Sequence, residues 1–488
     1  MTYESPLPPI PDVGTRARSI TDLLFGNLGE HASAPALTEV ETGRSVTYAQ
    51  LHQEVLALAA TLRSRGIGPG DCVAVQLPNG IDFAVTFLAL VQVGASASLL
   101  GTSLTAAERD HLCALAKAKV LLDAPIAPTE PAEHSASPAG PEDIAAVAFS
   151  SGTTGLPKAV ELTHRNLCAN MLQFSAALRA SGIGAGTPTL APLPFAHIYG
   201  LNTLLLSSLY ARHHIHTMAA FDLNVFIEAQ RSHRIELSFI APPIALALSR
   251  HPEATAEAFA DSRFMVCGAA PLDAALADSV EQRLGTVILQ GYGTTETSPV
   301  THVGIAGRSK PGSIGFAVPN TQFRIIDLRD GHDVAPGEPG EMLIRGPQVM
   351  RGYRNDPEAT QATITGGWLH TGDIVTLAED GTVYIVDRAK EVIKYKGFHV
   401  APAELEALLR THPAVADAAV VRHIVRTHGV DCEVPRACIV VADGATLSRE
   451  EIMEWVAERV AGYKKIREVT FTDHIPRNAA GKILRREL

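Results

Sequence analysis

The stretch Ala148-Phe149-Ser150-Ser151-Gly152-Thr153-Thr154-Gly155-Leu156-Pro157-Lys158 decides how this chain reads. A short apolar run, Ile144 to Phe149, leads into a turn of hydroxyls and glycines that ends on a lysine. Glycines let backbone approach an anion closely, and hydroxyls with successive N–H groups cradle phosphate oxygens. The turn is not the GxxxxGK[ST] loop, because Leu156 and Pro157 separate Gly155 from Lys158. Proline there also prevents a helix from starting directly at the lysine. An isolated Ser/Thr/Gly run is usually a plain loop, so phosphate binding depends on what accompanies it.

A chain of 488 residues suits about two to four domains and buries a large core. Hydrophobic residues make up 46% and charged ones 19%, a globular rather than disordered composition. The net charge of −11 argues against nucleic acid or an anionic membrane as main partner, so anionic ligands need local positive charge. Met1 to Pro11 lacks the pattern of a secretory leader. The most apolar window, Phe83 to Leu100, is interrupted by Gln92, Ser96 and Ser98 and reads as a buried helix running into a strand. Six cysteines without a CxxC pair read as reduced thiols, and the expected location is the cytoplasm. No HExxH spacing occurs among the 19 histidines, and His213-His214-Ile215-His216 reads as a surface or strand-edge run rather than a metal site.

Thr47 is placed to cap a helix with Leu51, Val55, Leu58 and Leu62 on one face, ending near Gly66. A strand follows at Cys72 to Leu77, and helix–strand alternation continues, which predicts α/β layers. Prolines 125, 128, 131, 138 and 141 mark a surface connection. From Gly312 to Asp387 the texture becomes short β runs, Phe323 to Asp327, Glu341 to Arg345 and Thr382 to Val386, with Asp380-Gly381 as a hairpin turn. The last hundred or so residues read as a separate small α+β unit. In it Pro402 opens a helix, strands run at Ala418 to Val421 and Ala437 to Val441, and Ser448 with Glu451 makes a capping box. The predicted division is 1–387 and 388–488.

Together the motifs resemble the adenylate-forming superfamily of acyl-CoA synthetases, luciferases and peptide-synthetase adenylation domains, and most nearly its 4-coumarate:CoA ligase branch. They are Ser150–Lys158, Pro194 to Gly200 (PFAHIYG), Gln290 to Glu296 (QGYGTTE), Thr371-Gly372-Asp373, Asp387-Arg388, Lys394 to Phe398 (KYKGF) and Gly481 to Leu484 (GKIL). The resemblance spans Thr47 to Leu488. It implies a large α/β N-terminal domain with a small β subdomain and a small mobile α+β C-terminal domain, hinged near Lys390. It also implies a two-step reaction: a carboxylic acid and ATP give an acyl-adenylate and pyrophosphate, and coenzyme A then displaces AMP. Such chemistry crowds anions together, so catalysis is mostly charge neutralisation and positioning.

The resemblance assigns roles by position. Lys482 neutralises the phosphorus under attack, Glu296 holds Mg²⁺, and Thr295 touches the α-phosphate. Ser150, Ser151, Gly152, Thr153, Thr154 and Lys158 cradle phosphates; Ala269, Gln290, Gly291 and Tyr292 line the adenine pocket; Asp373 and Arg388 hold the ribose. His197 gates the carboxylate, and Tyr199, Gly293, Pro299 and Val300 line the acid pocket. Lys394 sets the adenylate, and Lys396 and Gly397 meet coenzyme A. Four positions depart from the coumarate-ligase pattern. His399, beside the adenylate, replaces glutamine; Ala220 and Val266 replace lysines; Ala159 replaces glycine. The two lost cations keep another acceptor in view, as in ATP-dependent diazotases that activate nitrite or ligases that load a carrier protein. A hydroxycinnamate-like or other aryl or medium-length acid is the expected substrate, and the sequence leaves oligomeric state open.

Overall fold

The structure, a computed structural model, describes residues 1–11, 18–132, 137–151, 157–388, 391, 393–395, 398–427, 430–477 and 483–488. The chain forms two compact units. The larger holds Thr2–Phe323 and Ile344–His370; the smaller holds Met1, Arg324–Leu343 and Thr371–Leu488.

The larger unit is layered α/β. One sheet runs Phe316–Ala317, Val300–Val303, Val287–Gly293, Phe264–Cys267, Leu237–Ile240, Pro188–Ala191, His214–Thr217, Pro35–Glu39, Ser45–Thr47. Its six inner strands, Val287–Gly293 to Pro35–Glu39, are parallel and both edges are antiparallel. Phe264–Cys267 and Leu237–Ile240 are buried at every residue, as strands covered on both faces must be. A second sheet runs Gly352–Tyr353, Pro157–Thr163, Ile144–Ser151, Ser96–Leu99, Cys72–Val75, Val120–Leu122.

Local chemistry sets the helices. Thr47 and Gln50 form a reciprocal capping box on the helix Tyr48–Ser64, which buries Leu51, Val55, Leu58 and Leu62. The apolar window becomes the helix Ile81–Gln92 and the strand Ser96–Leu99. That helix is buried on nearly every side, which explains why it lacks a polar stripe. No helix among the described residues is long and apolar enough to cross a membrane. Cys72, Cys113, Cys168, Cys267 and Cys438 are free thiols.

The histidine run corrects its sequence reading. His214–Thr217 lies inside the nine-stranded sheet, hydrogen-bonded to Pro188–Ala191 on one side and Pro35–Glu39 on the other. The rings pack against one another, buried His216 lying with its centroid 4.1 Å from that of half-buried His214 and 4.3 Å from that of half-buried His233. His213, on the opposite face, hydrogen-bonds through Nδ1 to Thr189 Oγ1 at 3.1 Å, the threonine hydroxyl itself donating to Thr187 O.

In the smaller unit, Asp373 to Leu377 and Val383–Arg388 pair as the expected hairpin, with Gly381 at φ +84° in the turn. Pro402–Arg410 buries Leu405 and Leu409, and Ser448 with Glu451 caps Arg449–Ala457. The C-terminal strands run much longer than expected, Val415–Thr427 and Val430–Val441, with Glu468–Phe471 parallel to the second. Their outer halves carry Arg422 and Glu433, an ion pair at 3.2 Å across the ladder, so apolar patterning could not reveal them. Arg485 is half-buried among carboxylates. It pairs with Glu391 at 2.7 Å and with buried Glu406, and donates to Val420 O at 2.7 Å. Asp387 accepts N–H groups from Arg388 at 2.6 Å and Ala403 at 3.3 Å, while burial pushes its carboxyl up to about 7.

Burial also holds histidines neutral. His164, at 1% exposure, accepts the Ile20 N–H at 3.1 Å through Nδ1, and burial lowers its imidazole to about 4. Fully buried His302 is lowered to about 3. Since the unfolded chain takes up these protons near pH 6.5 and the fold resists them, stability is complete above 6.5 and lost as pH falls toward 4. Urea midpoints should fall steeply between pH 7 and 5, and His164→Gln should flatten that slope. An unchanged slope in the variant contradicts the assignment.

Candidate active site

The hydroxyl-rich turn connects antiparallel strands rather than a strand and a helix: Ser150 pairs with Lys158 and Ser151 with Pro157. Pro157 ends the turn in extended backbone, as its fixed φ favours. Gly152, Thr153 and Thr154 lie outside the described residues, and Ser151 is described by its backbone alone. Among the described residues the Ser150 hydroxyl is buried without a partner, at the root of the turn. Lys158 lays its ammonium 4.6 Å from the centre of the Tyr353 ring.

The segment Gln290–Val300 carries most of the remaining side chains. Gln290 and Tyr292 end the strand Val287–Gly293, and Gln290 Oε1 accepts the Leu272 N–H at 3.2 Å. Ala269 nearby holds φ +72°, a left-handed conformation that costs a non-glycine residue about 1 kcal/mol or more. Gly293 packs against backbone; a Cβ there would stand 1.8 Å from Pro299 O. Thr297 Oγ1 closes the turn by accepting the Thr294 N–H at 2.9 Å and donating to Pro299 O at 2.5 Å. Within it, Thr295 and Glu296 are partly exposed. Glu296 Oε1 accepts the Tyr353 hydroxyl at 2.9 Å, and Glu296 O accepts the Met350 N–H at 2.8 Å.

Two buried asparagines staple this turn from below, and sequence reasoning missed both. Asn170, on the helix His164–Ala180, donates to Val300 O at 2.6 Å and accepts the Val300 N–H at 3.0 Å. Asn202 donates to Ser298 O at 2.5 Å. Tyr353 was missed as well. Gly352-Tyr353 ahead of the helix-opening Asp356-Pro357 signals a strand end, but no local pattern points it at Glu296.

His197 and Tyr199 stand where a turn enters a wide π-helical segment, Tyr199–Leu206. Gly200 permits the entry, since a Cβ there would meet Pro194 O at 1.9 Å. The Tyr199 N–H donates to His197 Nδ1 at 3.2 Å, which leaves the proton of the neutral ring on Nε2. Burial pushes that imidazole down to about 4, so it is neutral at physiological pH. The Tyr199 hydroxyl donates to Val266 O at 2.9 Å, and burial pushes its ionisation well above the usual range. Its ring covers Gly268, where a Cβ would stand 3.1 Å from Tyr199 Cζ, and meets Phe239 edge-on at 6.2 Å.

The smaller unit holds a separate set. Asp373 and Arg388 are opposite residues of one hairpin and form an ion pair at 3.0 Å, with the carboxylate almost wholly buried. Thr371 Oγ1 accepts the Asp373 N–H at 3.1 Å and donates to Met342 O at 2.7 Å. Lys394 and His399 are opposite partners of the hairpin Ile393–Tyr395/Phe398–Val400, described by backbone alone. Lys390, Lys396, Gly397 and Lys482 lie outside the described residues.

Comparison with known proteins decides what these features belong to. A family model described as AMP-binding enzyme matches residues 25–137 and 123–354, and its C-terminal domain model matches 404–482. The chain belongs to the AMP-binding enzyme family. It is 37% identical to 4-coumarate–CoA ligase 3 of Oryza sativa subsp. japonica, over 98% of this chain and 93% of that one. With the 4-coumarate–CoA ligase of Pinus taeda the identity is 38%, over 95% and 93%. ATP-bound MatB from Rhodopseudomonas palustris superposes with TM-score 0.88 at 26% identity, over 96% of this chain and 98% of that one. The o-succinylbenzoate CoA synthetase of Bacillus subtilis, in complex with its acyl-adenylate, gives 0.83 at 28%, over 96% and 97%. This AMP-binding enzyme is therefore an AMP-forming acid–thiol ligase: it adenylates a carboxylic acid with ATP and passes the acyl group to coenzyme A.

The Asn170 staple is testable. Asn170→Ala strips both main-chain groups of buried Val300 of their partner, which costs on the order of 2–3 kcal/mol. Denaturant unfolding should show that loss, together with a raised KM for the acid. A variant of wild-type stability would remove Asn170 from the account.

Proposed function

We propose that the acid is planar and aromatic, of the hydroxycinnamate type, with other aryl and medium-length acids as poorer substrates. The buried Tyr199 ring packed over Gly268 carries this reading, because an aromatic side chain favours a flat ring beside it. The relatives' names support the same class. The Tyr199 proton is committed to Val266 O, so its oxygen acts as an acceptor and favours acids bearing a hydroxyl donor.

In the first step a carboxylate oxygen attacks the α-phosphorus and the bond to the β-phosphate oxygen breaks, releasing pyrophosphate. His197, neutral and protonated on Nε2, donates a hydrogen bond to the acid without adding charge. Ser150, Ser151, Gly152, Thr153, Thr154 and Lys158 receive the β- and γ-phosphates, and Thr295 the α-phosphate. Ala269, Gln290, Gly291 and Tyr292 flank the adenine, and Asp373 accepts the ribose hydroxyls while Arg388 orients it. Lys482 offsets charge on the five-coordinate phosphorus.

Glu296 suits Mg²⁺ chemically. One carboxylate oxygen is used by Tyr353, and the other has no hydrogen bond among the described residues. A magnesium ion needs only one or two protein carboxylates, taking water and phosphate oxygens for the rest. When bound, it neutralises phosphate charge.

In the second step the thiol of coenzyme A attacks the acyl carbon and AMP leaves. Residues 388–488 turn about Lys390 between the steps, withdrawing Lys482 and bringing Lys394, Lys396, Gly397 and His399 to the adenylate and coenzyme A. A cytoplasmic location fits six cysteines without paired spacing.

Pyrophosphate release and thioester formation, measured with 4-coumarate, benzoate, octanoate and malonate, test the substrate class. The highest kcat/KM is expected with 4-coumarate; a preference for malonate overturns the reading. Lys482→Ala should slow adenylation by about 100-fold or more yet leave thioester formation from supplied acyl-adenylate within a few-fold. Equal loss of both half-reactions contradicts its role.

A further inference from the structure

We propose that Tyr353 is a positioning residue that holds Glu296 and Lys158 in one fixed arrangement for magnesium-bound ATP. This rests on the reading of Glu296 as the metal carboxylate and Lys158 as a phosphate cation. The Tyr353 hydroxyl donates to Glu296 Oε1 at 2.9 Å, and the ring face of the same side chain carries the Lys158 ammonium at 4.6 Å from its centre. The two opposite charges thus engage different parts of one rigid ring, and neither forms an ion pair among the described residues. A flexible lysine and a flexible glutamate would otherwise sample many rotamers, or pair with each other, before the nucleotide arrives.

Tyr353 is itself fixed. Its backbone pairs with Val160, two residues beyond Lys158, and its N–H donates to Thr360 Oγ1 at 2.9 Å. The Met350 N–H donates to Glu296 O at 2.8 Å, so the segment Met350 to Tyr353 grips Glu296 by main chain and side chain at once. With Oε1 occupied, Oε2 is the oxygen left for the metal.

Calorimetric titration of the full chain with ATP, in excess Mg²⁺ and again in EDTA, separates positioning from general structure. Tyr353→Phe removes one hydroxyl and keeps the ring under Lys158. It should weaken ATP binding about 3–10-fold with Mg²⁺ and leave binding in EDTA within two-fold. Tyr353→Leu, which also removes the seat of Lys158, should weaken binding in both conditions. In steady state, Tyr353→Phe should raise the Mg²⁺ concentration for half-maximal rate more than it lowers kcat. Equal weakening of Tyr353→Phe in Mg²⁺ and EDTA, or no weakening at all, overturns the proposal. Glu296→Gln is the control. If it keeps the full Mg²⁺ enhancement, the metal reading of Glu296 fails and this inference with it; if it loses the enhancement while Tyr353→Phe retains it, only the positioning role fails.

Discussion

The close approach of Gly293 to the Pro299 carbonyl is the constraint on which the larger unit's site depends. No side chain fits between them, and the contact folds the chain back so that Thr294 to Ser298 project as a short turn. Thr297 closes that turn, while Asn202 and Asn170 hold Ser298 and Val300 from beneath. Glu296 is consequently presented from a backbone with almost no freedom. For the metal-holding role proposed for this carboxylate, fixed position counts for more than extra charge, because reorganisation at the moment of reaction slows such chemistry.

The chain's charge makes this economy necessary. A protein of net charge −11 cannot attract ATP and an organic acid by its overall field, so each cation must be placed individually. Lys158 is held against an aromatic ring rather than a carboxylate, which leaves its charge available to an incoming anion. His197 is kept neutral by burial, and its ring proton is directed by the Tyr199 N–H. The smaller unit follows a different rule. Arg485 is sunk among Glu391, Glu406 and the Val420 carbonyl, an ionic knot that fixes the segment following Lys482. Arg388 is tied to Asp373 across a hairpin. There, charges organise the backbone itself.

Much of this was legible beforehand where the information is local. The capping residues Thr47 and Ser448, the Asp380-Gly381 turn and the helix opened by Pro402 each depend on neighbours within four residues, and each appears as read. Gln290, Glu296, Asp373 and Arg388 were singled out by the order of their motifs along the chain, and the structure adds the contacts of Glu296 with Tyr353 and of Asp373 with Arg388. The histidine run was misread for the opposite reason. Its polarity suggested solvent, whereas tilted ring contacts between His214, His216 and distant His233 accompany a polar strand that sits inside a sheet.

The sequence by itself determined an α/β adenylate-forming ligase and its order of elements, since these follow from short-range pattern and from motifs read in series. Tertiary structure alone decided which distant groups stand behind them. Asn170 lies 130 residues from Val300, and Tyr353 lies 57 residues from Glu296. A hydrogen bond has no sequence signature at such separations, because its geometry is set by sheets and helices packed between its ends, not by the chain that joins them.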